Sequence, residues 1–147
     1  MSNLQVKAHD LIAVYGLLRA GQRGFEKFKL DRFFSYIGPC KISGMLLDMG
    51  GFPGLFTGKG SVKGDLFRVV DPKIMSQLDE FEDFWPESNK ISRYDRKLTN
   101  LLEPENTKAW VYHCLLPQTG RKLVPDGDWV NWYKQHWGAG PYSDGHI

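Results

Sequence analysis

Leu11 to Tyr15 (LIAVY) is a short apolar run rich in β-favoured residues, set between Asp10 and Gly16. A run of that length bounded by turn signals predicts a buried strand ending in a glycine turn. Arg19 to Arg32 mixes glycine, charge and a few phenylalanines, which predicts a loop with at most a short helix, covering the core rather than forming it. From Phe33 to Val70 closely spaced glycines divide FFSYIG, SGMLLDM, LFTG and SVKGDLFRVV, each short enough to be a strand. Such spacing predicts a strongly bent antiparallel sheet or small barrel. In the last of these, Val62, Gly64, Leu66 and Arg68 share one face and Lys63, Asp65, Phe67 and Val69 the other, and neither face is purely polar.

Asp71-Pro72 is the clearest helix start, an acidic N-cap followed by proline at the first helical position, and the helix is expected to run to about Glu82. Beyond it FWPESNKI reads as a loop, ISRYDRKLT as a strand, LEPENT as a turn and KAWVYHCLL as a strand enriched in aromatics, so the two strands form a hairpin. Asp126-Gly127-Asp128 is placed to cap a short helix that brings Trp129, Trp132 and His136 near one face. The closing GAGPYSDGHI is expected to be irregular. With no repeat, low-complexity tract or linker, residues 1–147 read as one domain of α+β class, a small strongly bent mixed β-barrel flanked by a few helices.

Composition narrows the function. The 147 residues are 41% hydrophobic and 24% charged, and 19 Lys and Arg against 17 Asp and Glu leave a net charge of +2. The cations are interspersed with acids rather than gathered in a stripe, which argues against nucleic-acid binding. No window approaches the roughly 18 apolar residues of a membrane span, and MSNLQVKAHD lacks the pattern of a secretory signal, so the expected compartment is the cytoplasm, with no membrane partner. Cys40 and Cys114 are too few and too far apart for a disulfide framework or zinc site and read as small core residues.

Candidate chemistry begins with a carboxylate out of place. At about 100° per residue, with Ile74 at zero, Glu82 falls near 80°, between Leu78 near 40° and Met75 near 100°. Glu80 and Asp83 take the solvent side, and Asp79 lies on the boundary. An ionised carboxylate on an apolar face needs a partner, for which Arg96 or Lys97 would serve, or a raised pKa, or a place at a pocket; fraying of the helix end would instead turn it to solvent. A raised pKa suits a general acid/base. A second signal is Gly16 directly after the buried strand, where exposed amides can cradle a small anion, joined by DMGGFPGLF, whose glycine pair, Gly50 and Gly51, can line the same mouth. His9, His113 and His136 have no serine or cysteine motif beside them. Trp110, Tyr112 and Cys114 alternate along one strand face as core, and Trp129, Trp132 and Trp137 are expected to pack the tail onto the domain.

In order, VYGLLRAG, GMLLDMGGFPGL, VKGDLF, LDEFE, SRYDRK, AWVY and GDW resemble the γ-glutamylcyclotransferase-like family, especially its γ-glutamylamine cyclotransferase and bacterial branches. The resemblance implies a bent barrel with a catalytic glutamate at the second glutamate of the Leu-Asp-Glu-x-Glu segment, which is Glu82. It implies that Tyr15, Gly16, Leu17 and Leu18 hold the γ-glutamyl part of the substrate, with Gly51, Tyr94 and Arg96 as further lining residues. The implied reaction is attack of the substrate's α-amine on its own γ-carbonyl, releasing 5-oxoproline and an amine, a lyase or acyl-transferase step that needs neither metal nor cofactor. The implied partner is a small γ-glutamyl substrate, whose amine is an amino acid, a lysine remnant or a polyamine, with Leu17, Trp85 and the tail tryptophans as candidates to shape the amine side. Two positions depart from the family pattern: Leu17 replaces a usual serine or threonine, and Asp83 a usual glycine. The alternative is a non-catalytic module that binds a small molecule or peptide in the same pocket. Oligomeric state leaves no signature in the sequence.

Overall fold

A computed structural model describes residues 5–86 and 90–138. Its strands are β1 (Leu11–Val14), β2 (Phe34–Asp48), β3 (Pro53–Val69), β4 (Tyr94–Glu103), β5 (Lys108–Cys114) and β6 (Lys122–Leu123). Its α-helices are α1 (Arg23–Lys27), α2 (Met75–Phe81) and α3 (Trp129–Trp137). The sheet runs β3-β1-β5-β4-β2, and β2 pairs with β3 again, so five strands close into a barrel with β6 added at the end of β2. β1 lies parallel to β5 while the other pairings are antiparallel, which makes the barrel mixed, as expected.

FFSYIG and SGMLLDM are one strand rather than two, and LFTG and SVKGDLFRVV likewise. Glycine here bends the ladder without ending it: register shifts between Tyr36 and Gly38 and between Ser43 and Met45 let pairing resume after each bend. Gly60 shows why a side chain is excluded there, since a Cβ would sit 2.6 Å from the Gly44 carbonyl oxygen. Bending on this scale lets strands of 15 and 17 residues wrap one core. That core gathers Ile12, Val14, Leu18, Ile42, Leu46, Leu55, Val62, Leu66, Leu78 and Trp129, all buried.

Asp71 caps the expected helix through its side chain, accepting from the Lys73 amide at 3.1 Å, but the first turn, Pro72–Ile74, is a 3₁₀-helix that passes into α2. β4 starts at Tyr94, not Ile91, and runs on to Glu103, while β5 stops before Leu115; the two form the expected antiparallel hairpin. The 19–32 segment holds α1 and a 3₁₀ turn at Leu30–Arg32. Asp128 caps α3 by accepting from the Asn131 amide at 3.1 Å. β6, two residues long, has too little pattern to be read from sequence. All but Gly138 of GAGPYSDGHI, and residues 87–89 of FWPESNKI, lie outside the described residues. Cys40 and Cys114 are free and buried, and among the described residues no helix is long and apolar enough to cross a membrane.

Candidate active site

Two hydrogen bonds close α2. The Asp83 amide donates to the Glu80 carbonyl at 3.0 Å and the Phe84 amide to the Asp79 carbonyl at 2.8 Å, the paired pattern of a Schellman C-cap with Glu82 as its last right-handed residue. This cap fixes Glu82 against fraying, and its side chain points into the protein with 0% exposure. Neither carboxyl oxygen has a hydrogen-bond partner among the described residues. Native proteins rarely leave a buried polar atom unsatisfied, so such a group needs a chemical reason. Burial is the main cause that raises the Glu82 pKa well above its usual value, and the nearby Asp79 carboxylate adds to it.

Three buried tyrosines, from different elements, feel the Glu82 charge: Tyr15 just after β1, Tyr94 at the start of β4 and Tyr112 on β5. Burial foremost, and Glu82 among the further causes, raises the pKa of each. The Tyr15 hydroxyl donates to the Tyr112 carbonyl at 2.7 Å and the Tyr94 hydroxyl to the Pro53 carbonyl at 2.6 Å. The Tyr112 hydroxyl donates to Asp79 Oδ1 at 2.7 Å. Asp79 also takes Arg96 Nε on Oδ1 at 2.9 Å and Arg96 Nη2 on Oδ2 at 2.8 Å, a bidentate pair in which Arg96 is 3% exposed. Asp79 and Arg96 line a cavity of about 590 Å³, and Glu82 is not among its walls.

After β1 the chain turns at residues 15–18. The Gly16 carbonyl accepts from Arg19 at 3.1 Å and the Leu17 carbonyl from Phe25 at 3.1 Å, which turns the carbonyls into the 19–25 segment. No backbone acceptor for the amides of Gly16, Leu17 and Leu18 is found among the described residues, and all three residues are buried. A run of such amides carries the partial positive charge of an anion cradle. The geometry so far is a buried carboxyl, three buried tyrosines that feel its charge and a turn whose amides have no backbone acceptor among the described residues. A family model described as gamma-glutamyl cyclotransferase, AIG2-like, matches residues 12–131.

The chain belongs to the gamma-glutamyl cyclotransferase, AIG2-like family.

It is similar to a Vibrio cholerae protein provisionally named a gamma-glutamylcyclotransferase, at 30% identity over 81% of this chain and 94% of the relative. Among solved structures it resembles the YtfP protein of Escherichia coli (27% identity, TM-score 0.62, 83% of this chain and 97% of that one). The fold is shared with PH0828 of Pyrococcus horikoshii (22% identity, TM-score 0.64, covering 90% and 99%).

The family frame gives the two departures a structural meaning. Asp83 occupies the left-handed C-cap position, φ 57°, where glycine carries no steric penalty. Its carboxylate accepts from the Trp85 indole and pairs with Arg93 at 3.1 Å, so the side chain that strains the turn also ties down the loop behind it. Trp85 is thereby engaged with Asp83 and Lys90, whose ammonium lies 4.1 Å from its ring centre. Leu17 is buried among core side chains and offers no hydroxyl.

The other predicted residues part company. Arg96, a candidate partner of Glu82, is clamped on Asp79, and Lys97 lies 4.0 Å from Asp95. Gly51 belongs to a second cluster: the Gly50 and Gly51 amides donate to Asp48 Oδ1 at 2.9 and 2.8 Å, and the Trp132 and Trp137 indoles to Oδ2, each at 2.9 Å. His136 stacks on Trp132 and His113 meets Thr99 at 2.9 Å, while His9 is exposed. Sequence reasoning missed Asp48 and Asp79. The first was signalled by Asp before a turn and two glycines, a side chain placed to accept amides two and three residues on; the second by its spacing of three from Glu82, which puts both on one helix face.

Proposed function

We propose that this protein is a γ-glutamyl cyclotransferase in which Glu82 is the general acid/base, the domain acting as one catalytic unit. The observation that supports this most is the fully buried Glu82 carboxyl with no hydrogen-bond partner among the described residues. Burial alone disfavours its ionised form; a substrate α-ammonium beside it restores the carboxylate by pairing, which readies it to take a proton. Freed of that proton, the α-nitrogen attacks the γ-carbonyl carbon, the five-membered ring closes and the bond to the leaving nitrogen breaks. Of the three ammonium protons one stays on the ring nitrogen of 5-oxoproline, and two are relayed through Glu82 to the leaving amine, which departs as an ammonium ion.

Nucleophile and electrophile belong to one molecule, so the main task is orientation, for which effective molarities reach about 10⁵ M or more. The amides of Gly16, Leu17 and Leu18 are assigned to the substrate's α-carboxylate, and the rings of Tyr15 and Tyr94 to the walls. A reducing compartment such as the cytoplasm suits the two free cysteines.

The test is mass-spectrometric detection of 5-oxoproline from a panel of γ-glutamyl dipeptides, γ-glutamyl-ε-lysine and γ-glutamyl polyamines, with Glu82→Gln alongside. Product from the wild type and none from the variant is the expected result, and the panel member consumed identifies the leaving amine. Stabilisation by a panel member without product, over long incubation, would replace the enzyme by a binding module.

A further inference from the structure

The 15–18 turn, whose amides are assigned to the substrate's α-carboxylate, belongs to no strand or helix. It opens with Tyr15, one of the tyrosines that feel the Glu82 charge. A cradle of backbone amides is selective for an anion only when the amides are held in place before the anion arrives. On its carbonyl side the turn is held by the Arg19 amide on Gly16 and the Phe25 amide on Leu17, each at 3.1 Å. Gly24 lets α1 come this close, since a Cβ there would lie 2.9 Å from the Leu17 carbonyl oxygen. Both ties run to the 19–25 segment, so the turn is only as fixed as that segment.

Asp65 fastens the segment to the barrel. Its partner in the β1–β3 ladder is Val14, the last residue of β1. Gly64 brings the two backbones together, because a Cβ there would sit 2.6 Å from the Val14 carbonyl oxygen. The Asp65 side chain is buried, and its Oδ2 accepts from the Ala20 amide at 3.0 Å and from Arg19 Nε at 3.3 Å. A buried carboxylate in a strand thus directs its hydrogen bonds to the two residues by which the chain leaves the turn. Phe67, two residues on and so on the same face of β3, packs against Phe25 of α1 with ring centres 5.6 Å apart, a second grip on the segment. Arg19, on the same oxygen as the Ala20 amide, offsets the Asp65 charge. We infer that Asp65 is a positioning residue for the site: by holding Ala20 and Arg19 it fixes the 15–18 turn, and with it the amides that receive the α-carboxylate. The latch stands on the geometry; its consequence rests on the assignment of those amides under the proposed function.

The test compares wild type, Asp65→Ala and Asp65→Asn in the full chain. Both donors meet one oxygen, so an amide oxygen placed there keeps the Ala20 and Arg19 bonds, whereas alanine keeps neither. The probes are 5-oxoproline and 2-pyrrolidinone, rings that differ only by the carboxylate, followed by nitrogen-15 NMR at the amides of Gly16, Leu17 and Leu18. In wild type 5-oxoproline should shift these three signals. Asp65→Ala should weaken 5-oxoproline about tenfold or more, the scale of a hydrogen bond to a charged group, and leave 2-pyrrolidinone within about twofold. Asp65→Asn should recover most of that loss. With the panel member that wild type consumes, Asp65→Ala should raise KM about tenfold and hold kcat within about threefold, the split expected when a contact made equally in ground and transition state is lost. Three amides unmoved by 5-oxoproline in wild type, equal weakening of both probes in Asp65→Ala, or an Asp65→Asn variant no better than Asp65→Ala overturns the inference and leaves the acid/base reading of Glu82 standing. Should Asp65→Ala fail to fold, Asp65→Ser makes the same comparison. If wild type makes no 5-oxoproline from the panel, the enzyme reading falls, and the amide titration by itself decides whether Asp65 positions the turn.

Discussion

Two buried carboxylates in this molecule are treated in opposite ways. Asp48 receives four N–H donors, two from the backbone of its own turn and two from indoles of α3, and these bonds outweigh the cost of burial and lower its pKa. Glu82 receives none among the described residues, and burial raises its pKa. Asp48 is a clamp: it ties the turn after β2 to α3, and its value is to stay ionised and still. Glu82 is the reverse, a buried carboxyl with no hydrogen-bond partner among the described residues, an arrangement that costs stability when the group ionises.

The largest expected effect is at Glu82. Glu82→Gln should abolish turnover, a loss of roughly 10²- to 10⁴-fold or more, while keeping the fold. Its stability should move the other way. A carboxyl whose folded pKa lies above its unfolded value carries no penalty when both states are protonated, and weakens the fold as pH rises past the ordinary glutamate range, because the unfolded chain ionises first. Glu82→Gln should therefore melt above wild type at pH 7 and converge with it near pH 4; a variant that melts below wild type at neutral pH would end the contrast with Asp48.

Asp48 should show the mirror image at smaller scale. Asp48→Ala leaves two amides and two indoles without their acceptor, a loss of about 2–4 kcal/mol, read as a lower melting point and altered tryptophan emission as α3 loosens. Its pKa is depressed, so the stability it contributes is present above the ordinary aspartate range and disappears as pH falls through the folded value. Asp48→Asn should flatten that acid limb, and an acid limb unchanged from wild type would remove the clamp.

The smallest effect is expected at Asp83, next to Glu82 in the chain. Asp83→Gly relieves the left-handed backbone but gives up the ties to Trp85 and Arg93, and should fall within about 1 kcal/mol of wild type. Asp83→Ala keeps the strain and loses the ties, and should be less stable than Asp83→Gly by about 1 kcal/mol in a denaturant titration. Equal stability of the two would mean that the backbone there carries no strain.

Much of this was legible in the chain. The hydrophobic run at 11–15, the Asp71-Pro72 cap and the hairpin of β4 and β5 follow local rules, and the structure keeps them. Glu82 was legible as a candidate because a helix converts spacing into direction, so a carboxylate at the angle of Met75 and Leu78 falls on the apolar face; that the helix end does not fray and turn it to solvent was decided by the cap. The glycine-rich middle misled: local chemistry marks where a strand can bend, but only the pairing across β2 and β3 decides that it does not stop.

Partnership was the other thing hidden from the sequence. Arg96, Lys97 and Glu82 were all present, and nothing local says that Arg96 settles on Asp79, because that choice depends on where β4 crosses α2 in the barrel. The same holds for Asp48, whose two indole donors come from 84 and 89 residues along the chain. The sequence by itself determined where β1, α2 and the β4–β5 hairpin form and that Glu82 falls at the angle of the apolar face of α2, since propensity and periodicity act over a few residues. Only the tertiary structure decided which buried acid is satisfied and which is left open, because hydrogen bonds and ion pairs between distant segments form where closure of the barrel brings their ends together.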